Sequence, residues 1–121
     1  QVFSLVGDGG ALMTGSELAT AVAQKAKIRV IVANNQHYGT IRYHQELHFP
    51  TREHYATNLV NPDFAKYGES FGLKCFTIEK VEEIIPKIKE AMNVDGPSLI
   101  EFKMSLELNT STTTITQLQV M

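Results

Sequence analysis

Four short apolar runs divide the chain, and longer stretches of mixed polarity lie between them. They are Val2-Phe3-Ser4-Leu5-Val6, Ile28-Arg29-Val30-Ile31-Val32-Ala33, residues 73–78 and Ser98-Leu99-Ile100-Glu101-Phe102. Runs this short and this apolar, rich in β-branched residues, predict strands covered on both faces, as in a parallel sheet. After the first strand, Thr14-Gly15-Ser16-Glu17 has capping-box spacing and predicts a helix running to about Lys25. A second helix is expected over residues 40–46, ended by Phe49-Pro50. A third starts at Asn61-Pro62-Asp63, with Asn61 as its cap, and stops at Gly72. Val81, Ile84, Ile85, Ile88 and Met92 form the apolar stripe of a fourth. The order β-α-β-α-α-β-α-β predicts an α/β fold, a mostly parallel sheet with helices on both faces. Residues 51–60 read as a polar loop at an active site or interface, and residues 109–121 as a Thr-rich extended tail.

Composition narrows the class without deciding it. At 121 residues the chain holds one small domain. A net charge of −2 gives no general attraction to nucleic acid or an anionic membrane, so neither is expected as a partner. No apolar run approaches the roughly 20 residues that span a bilayer, and a cytoplasmic location is the default expectation. The single cysteine, Cys75, excludes an internal disulfide and reads as a small buried hydrophobe. Because Gln1 leads straight into a strand, the chain is expected to be a fragment, with residues 1–105 as the domain and 106–121 as its tail.

Chemistry concentrates at two anchors. Gly7-Asp8-Gly9-Gly10 follows the first strand, and Asn34-Asn35 closes the second after twenty-four intervening residues. If the strands are parallel, Asp8 and Asn35 emerge together at the carboxyl edge, where open α/β sheets bind ligands. A carboxylate and an amide oxygen meeting there suit Mg²⁺, a hard cation that completes its shell with water and substrate phosphates. Asp8 alone would read as a turn residue, but the spacing to the Asn pair favours the metal. Asn34 is expected to bond nearby backbone. His44 and His48 lie one helical turn apart, yet no third ligand is set by spacing, so with His37 and His54 they read as solvated or interface residues. Arg42 reads as a surface ion-pair partner and Glu46 as part of a solvated helix face. A nicotinamide fingerprint would need glycine where Leu12 stands.

These anchors resemble the diphosphate-binding domain of thiamine diphosphate enzymes, whose signature is Gly-Asp-Gly, some two dozen residues, then Asn-Asn. Asn35-Gln36-His37-Tyr38-Gly39-Thr40-Ile41-Arg42, Asn61-Pro62-Asp63-Phe64-Ala65 and Gly96-Pro97-Ser98-Leu99-Ile100-Glu101 extend the likeness to the acetolactate synthase-like branch. The resemblance implies that Asp8, Asn35 and the His37 carbonyl hold Mg²⁺, which bridges to the cofactor diphosphate. It places Gly7, Gly9, Gly10, Ala11, Tyr38 and Gly39 beside that diphosphate. It further implies a 2-keto acid substrate, decarboxylase or carboligase chemistry, and a homo-oligomer. The activating Glu and the cofactor-bending residue of the family lie upstream or on a second subunit. These 121 residues alone are therefore expected to be inactive. A non-catalytic assembly or regulatory module retaining the fold is the alternative.

Overall fold

The computed structural model describes residues 1–49, 52–108 and 113–119. Four strands, β1 (Val2–Gly7), β2 (Ile28–Asn34), β3 (Lys74–Ile78) and β4 (Ser98–Lys103), form one sheet in the order β1-β2-β4-β3. All three pairings are parallel. The register sets Gly7 beside Ala33 and Ala33 beside Phe102, so β1, β2 and β4 end level at one carboxyl edge.

Alternation along β4 divides the core. Leu99 joins Ala11, Leu18, Val32, Phe64 and Leu73 on one face, whereas Ile100 joins Phe76, Ile78 and Ala91 on the other. The first face is covered by α1 (Asp8–Thr14), α2 (Leu18–Ala23) and α4 (Phe64–Ser70), and the second by α5 (Ile84–Met92). Helices therefore lie on both faces, as the sequence predicts. Pro86 sits in the first turn of α5, where a missing N–H removes no helical bond. Edge strand β1 is less covered: Val2, Phe3 and Leu5 are 61%, 49% and 76% exposed.

The helix starts differ from the sequence expectation in two places. The first helix begins at Asp8, and Thr14, expected to cap it, makes no capping bond. A 3₁₀ turn over Gly15–Glu17 connects α1 to α2. At α4 the cap is Asp63, whose Oδ1 accepts from the Lys66 amide at 3.0 Å, and Asn61 turns elsewhere. The expected stop holds, with Gly72 at φ +93°, a conformation glycine adopts without cost.

The chain end departs further from expectation. Helix α6 (Ile115–Gln119) packs on α3 (Gly39–His48), burying Ile115 and Leu118. Its amide at Ile115 bonds the Glu107 carbonyl at 2.9 Å, so the segment folds back instead of extending. Residues 109–112, 120 and 121 of the expected tail, like Pro50 and Thr51, lie outside the described residues.

Cys75 is half-buried on β3 against Gly68, and burial pushes its thiol up to about 11. The fold thus favours the neutral thiol. That stability is intact below the ordinary cysteine value of about 8.5 and is lost as pH rises through the folded value. Alkylation at about pH 8 is expected to be far slower in the folded protein than in denaturant, because the thiolate is the reacting form. Equal rates in both states would contradict this.

Candidate functional site

Strand ends β1 and β2 deliver Asp8 and Asn34-Asn35-Gln36 to the same point. Asp8 is only 2% exposed, and three donors hold its carboxylate. Oδ1 accepts from the Gly9 amide at 2.9 Å. Oδ2 accepts from the Gln36 amide and from Asn61 Nδ2, both at 2.7 Å. Gln36 adopts φ +60°, a left-handed conformation unusual for a side-chain-bearing residue, and its amide also reaches Asn34 Oδ1 at 3.2 Å. Such backbone strain, held by surrounding bonds, is characteristic of binding turns.

The end of the polar loop expected at an active site or interface, residues 51–60, completes the wall. Tyr38 donates its amide to the Thr57 carbonyl at 2.9 Å, and Leu59 donates to the Gln36 carbonyl at 2.8 Å. Residues 57–61 therefore run beside the turn and bring Asn61 onto Asp8. Asn61 was assigned to helix capping from sequence. Asp63, equally able to cap and three residues before Lys66, is the signal that Asn61 is available for another role.

Beside Asp8 lies an open cavity of about 220 Å³, lined by Gly7, Asp8, Gly9, Gly10, His37, Tyr38, Gly39, Thr40 and Ile41. Seven of the nine expected site residues line it. Ala11 does not; its methyl is in the core with Leu18 and Val32. Asn35 also lies outside the lining, and its Nδ2 donates to the Leu108 carbonyl at 3.1 Å. That bond turns Asn35 Oδ1, the only side-chain atom able to ligate a cation, away from Leu108. Close approach at the floor needs glycine: a Cβ on Gly9 would fall 2.5 Å from Tyr38 Cε1. Gly9→Ala is expected to push the Tyr38 ring out of the wall and weaken ligand binding at least several-fold, while Gly7→Ala, which meets nothing within 4 Å, should have the smaller effect. Ligand titration of the two variants checks that order.

Arg42 and Glu46 correct the sequence reading, because both are buried, at 9% and 2% exposure. Arg42 Nε lies 3.3 Å from Glu46 Oε1, and Nη1 lies 2.8 Å from His37 Nε2. Burial first, and the Arg42 guanidinium second, hold the His37 imidazole below its ordinary value. The ring is therefore neutral at neutral pH, and Nε2 accepts from Arg42. His54 Nδ1 lies 3.6 Å from Glu46 Oε1, so it borders this buried group while staying partly exposed. His44 and His48 stack, with ring centroids 5.7 Å apart.

A parallel sheet with a buried carboxylate and a glycine-floored cavity at its carboxyl edge defines an α/β ligand-binding domain. The chain belongs to the thiamine pyrophosphate enzyme family: the model of the family's C-terminal TPP binding domain matches residues 1–102. Thiamine pyrophosphate is thiamine diphosphate under its other name. The chain is 36% identical over 107 residues to a Bacillus subtilis protein described as thiamine pyrophosphate-containing, covering 88% of this chain and 18% of that one. It is 34% identical over 103 residues to the mitochondrial acetolactate synthase catalytic subunit of Saccharomyces cerevisiae, covering 85% and 15%. Its fold matches the thiamine diphosphate-dependent 4-hydroxybenzoylformate decarboxylase of Rhodococcus jostii with a TM-score of 0.80 at 28% identity, covering 87% and 20%. The chain thus spans a fifth or less of the length of these relatives. Among the described residues, no helix is long and apolar enough to cross a membrane.

Proposed function

We propose that this domain anchors thiamine diphosphate through Mg²⁺ within a longer 2-keto acid decarboxylase or carboligase resembling acetolactate synthase. The supporting observation is the state of Asp8. An ionised carboxylate offers about four lone-pair positions, and three are taken by Gly9, Gln36 and Asn61. One position remains for a cation, on a group whose burial would be costly without opposite charge. Asn35 Oδ1 and the His37 carbonyl complete a set of hard oxygen donors suited to Mg²⁺. The diphosphate would lie in the cavity against Gly7, Gly9, Gly10, Tyr38 and Gly39, where missing side chains let backbone amides approach phosphate oxygens. The amide of Ala11 would contribute only from behind this surface.

Bound thiamine diphosphate would supply the carbon nucleophile that attacks a 2-keto acid. This chain's residues would hold and orient it. The domain by itself is proposed to be inactive, since the family's activating Glu would come from another domain or subunit. Exposed Val2, Phe3 and Leu5 on edge strand β1, and Met13 on α1, support the reading that further parts of a longer protein, or a second subunit in a homo-oligomer, cover this edge of the domain. Calorimetric titration of the complete protein with thiamine diphosphate tests the proposal. Binding is expected with Mg²⁺ present and is expected to vanish in chelator. Equal affinity in both conditions would overturn it.

A further inference from the structure

A buried chain of side chains runs from the middle of the sheet to Asp8. Glu101, on central strand β4 and fully buried, accepts from Asn34 Nδ2 at 2.7 Å. Asn34 Oδ1 in turn accepts from Asn61 Nδ2 at 2.8 Å, and the same Asn61 nitrogen reaches Asp8 Oδ2 at 2.7 Å. The direction of each bond is dictated by the one before it. A carboxylate can only accept when ionised, so Glu101 draws the amide nitrogen of Asn34 toward itself. Asn34 must then present its oxygen to Asn61 and to the Gln36 amide. Asn61 must present its nitrogen to Asn34, and this leaves that nitrogen facing Asp8.

The unpaired atoms point to a purpose beyond stability. Glu101 Oε2 and Asn61 Oδ1 are buried and have no hydrogen-bond partner among the described residues. Each unpartnered buried acceptor costs free energy, so an arrangement selected only for stability would satisfy both or replace them with apolar groups. Instead, Glu101 uses one oxygen and Asn61 only its nitrogen, and the chain of bonds they form through Asn34 ends on Asp8.

We infer that Glu101, Asn34 and Asn61 are positioning residues that fix the Asp8 carboxylate in its cation-binding rotamer before any cation arrives. The inference rests on Asp8 being the cation anchor proposed above. None of the three touches the cation; they act by denying Asp8 other orientations and by setting the Asn34-Asn35-Gln36 turn. Loss of such outer partners typically weakens a metal by about 10- to 100-fold.

The test uses the complete protein with Mn²⁺ as probe, its free fraction read by electron paramagnetic resonance in the presence of thiamine diphosphate. Asn61→Ala is expected to weaken Mn²⁺ by about 10- to 100-fold. Asn34→Asp, which sets a carboxylate oxygen against Glu101, should weaken it comparably. In the swap Asn34→Asp with Glu101→Gln the glutamine nitrogen can donate to the new carboxylate, total charge is conserved, and most of the lost affinity should return. Unfolding midpoints measured without cation separate affinity from stability. Should Asn61→Ala not fold, the swap still decides. The inference is overturned if Asn61→Ala binds Mn²⁺ like the parent, if the swap recovers nothing, or if only the midpoints change. Asp8→Ala serves as the reference: full Mn²⁺ affinity in that variant would instead reject the anchor itself.

Discussion

Asp8→Ala is expected to abolish cation-dependent binding of thiamine diphosphate. Among the described residues Asp8 is the only carboxylate lining the cavity at the carboxyl edge, and it is buried where a bound cation would be the largest local charge. Removing an ionic ligand should cost more than the roughly 10- to 100-fold lost when an outer partner is removed. The variant also removes the acceptor of the Gly9 amide and one of the two acceptors of the Gln36 amide and the Asn61 nitrogen. The fold should weaken by about 1–3 kcal/mol in consequence, so affinity is to be measured on protein shown to be folded by circular dichroism. Asp8→Asn separates shape from charge. It keeps the volume, yet turns an NH₂ toward one of the donors and offers the cation no charge. Calorimetry should find both variants without measurable Mg²⁺-dependent binding; parent-like affinity in either would remove Asp8 from the anchor.

Arg29→Met should cost about 3 kcal/mol of stability, by leaving partly and fully buried main-chain oxygens without their guanidinium donor. Arg29 is fully buried in β2, and its guanidinium donates to four main-chain oxygens. Val94 O lies at 2.7 Å and Met92 O at 3.3 Å, while Gly96 O and Ile28 O receive the other nitrogen. Met92 ends α5, and Val94 and Gly96 follow it, so three of these carbonyls lie at or beyond the negative end of the helix dipole. A buried cation without a carboxylate partner among the described ion pairs is thus stabilised by helix carbonyls. It also fastens the turn that delivers β4, and with it Glu101, into the sheet. Arg29→Lys should recover only part of the loss, because one ammonium cannot span both sides of the turn. Urea unfolding midpoints check this; a Met variant as stable as the parent would show that the carbonyls find other donors.

Arg29 also illustrates what the sequence conceals. The run over residues 28–33 is apolar enough to mark a buried strand, and that reading holds because β2 lies between β1 and β4. Nothing local, however, says where a charged side chain inside such a run finds its partners, since three of the four lie more than sixty residues away. Strands and helix types were legible because their periodicity is local. Helix caps were less so: Thr14 and Asn61 have the right chemistry, but the first helix starts at Asp8 after Gly7 with no side-chain cap, and Asp63 caps α4. Asn61 is claimed by a tertiary partner that spacing cannot reveal.

The convergence of Asp8 with the Asn34–Gln36 turn was legible because each lies at the end of a strand and the two strands pair in parallel. Asn34 bonds nearby backbone as the sequence suggests, through the Gln36 amide, but its further partners, the side chains of Glu101 and Asn61, are not legible there. The burial of Arg42 and Glu46 could not be read from α3 alone. Loop residues His54 and Asn58 and the packing of α6 create it, and the Thr-rich composition before α6 obscured the spacing of Ile115 and Leu118.

A crystal of the complete protein grown with Mn²⁺ and thiamine diphosphate shows whether this sheet edge is a cation anchor. One anomalous peak is predicted about 2.1 Å from an Asp8 carboxylate oxygen, with Asn35 Oδ1 and the His37 carbonyl oxygen as its other protein ligands. Cofactor bound with the peak elsewhere, or with no peak beside Asp8, would contradict the account.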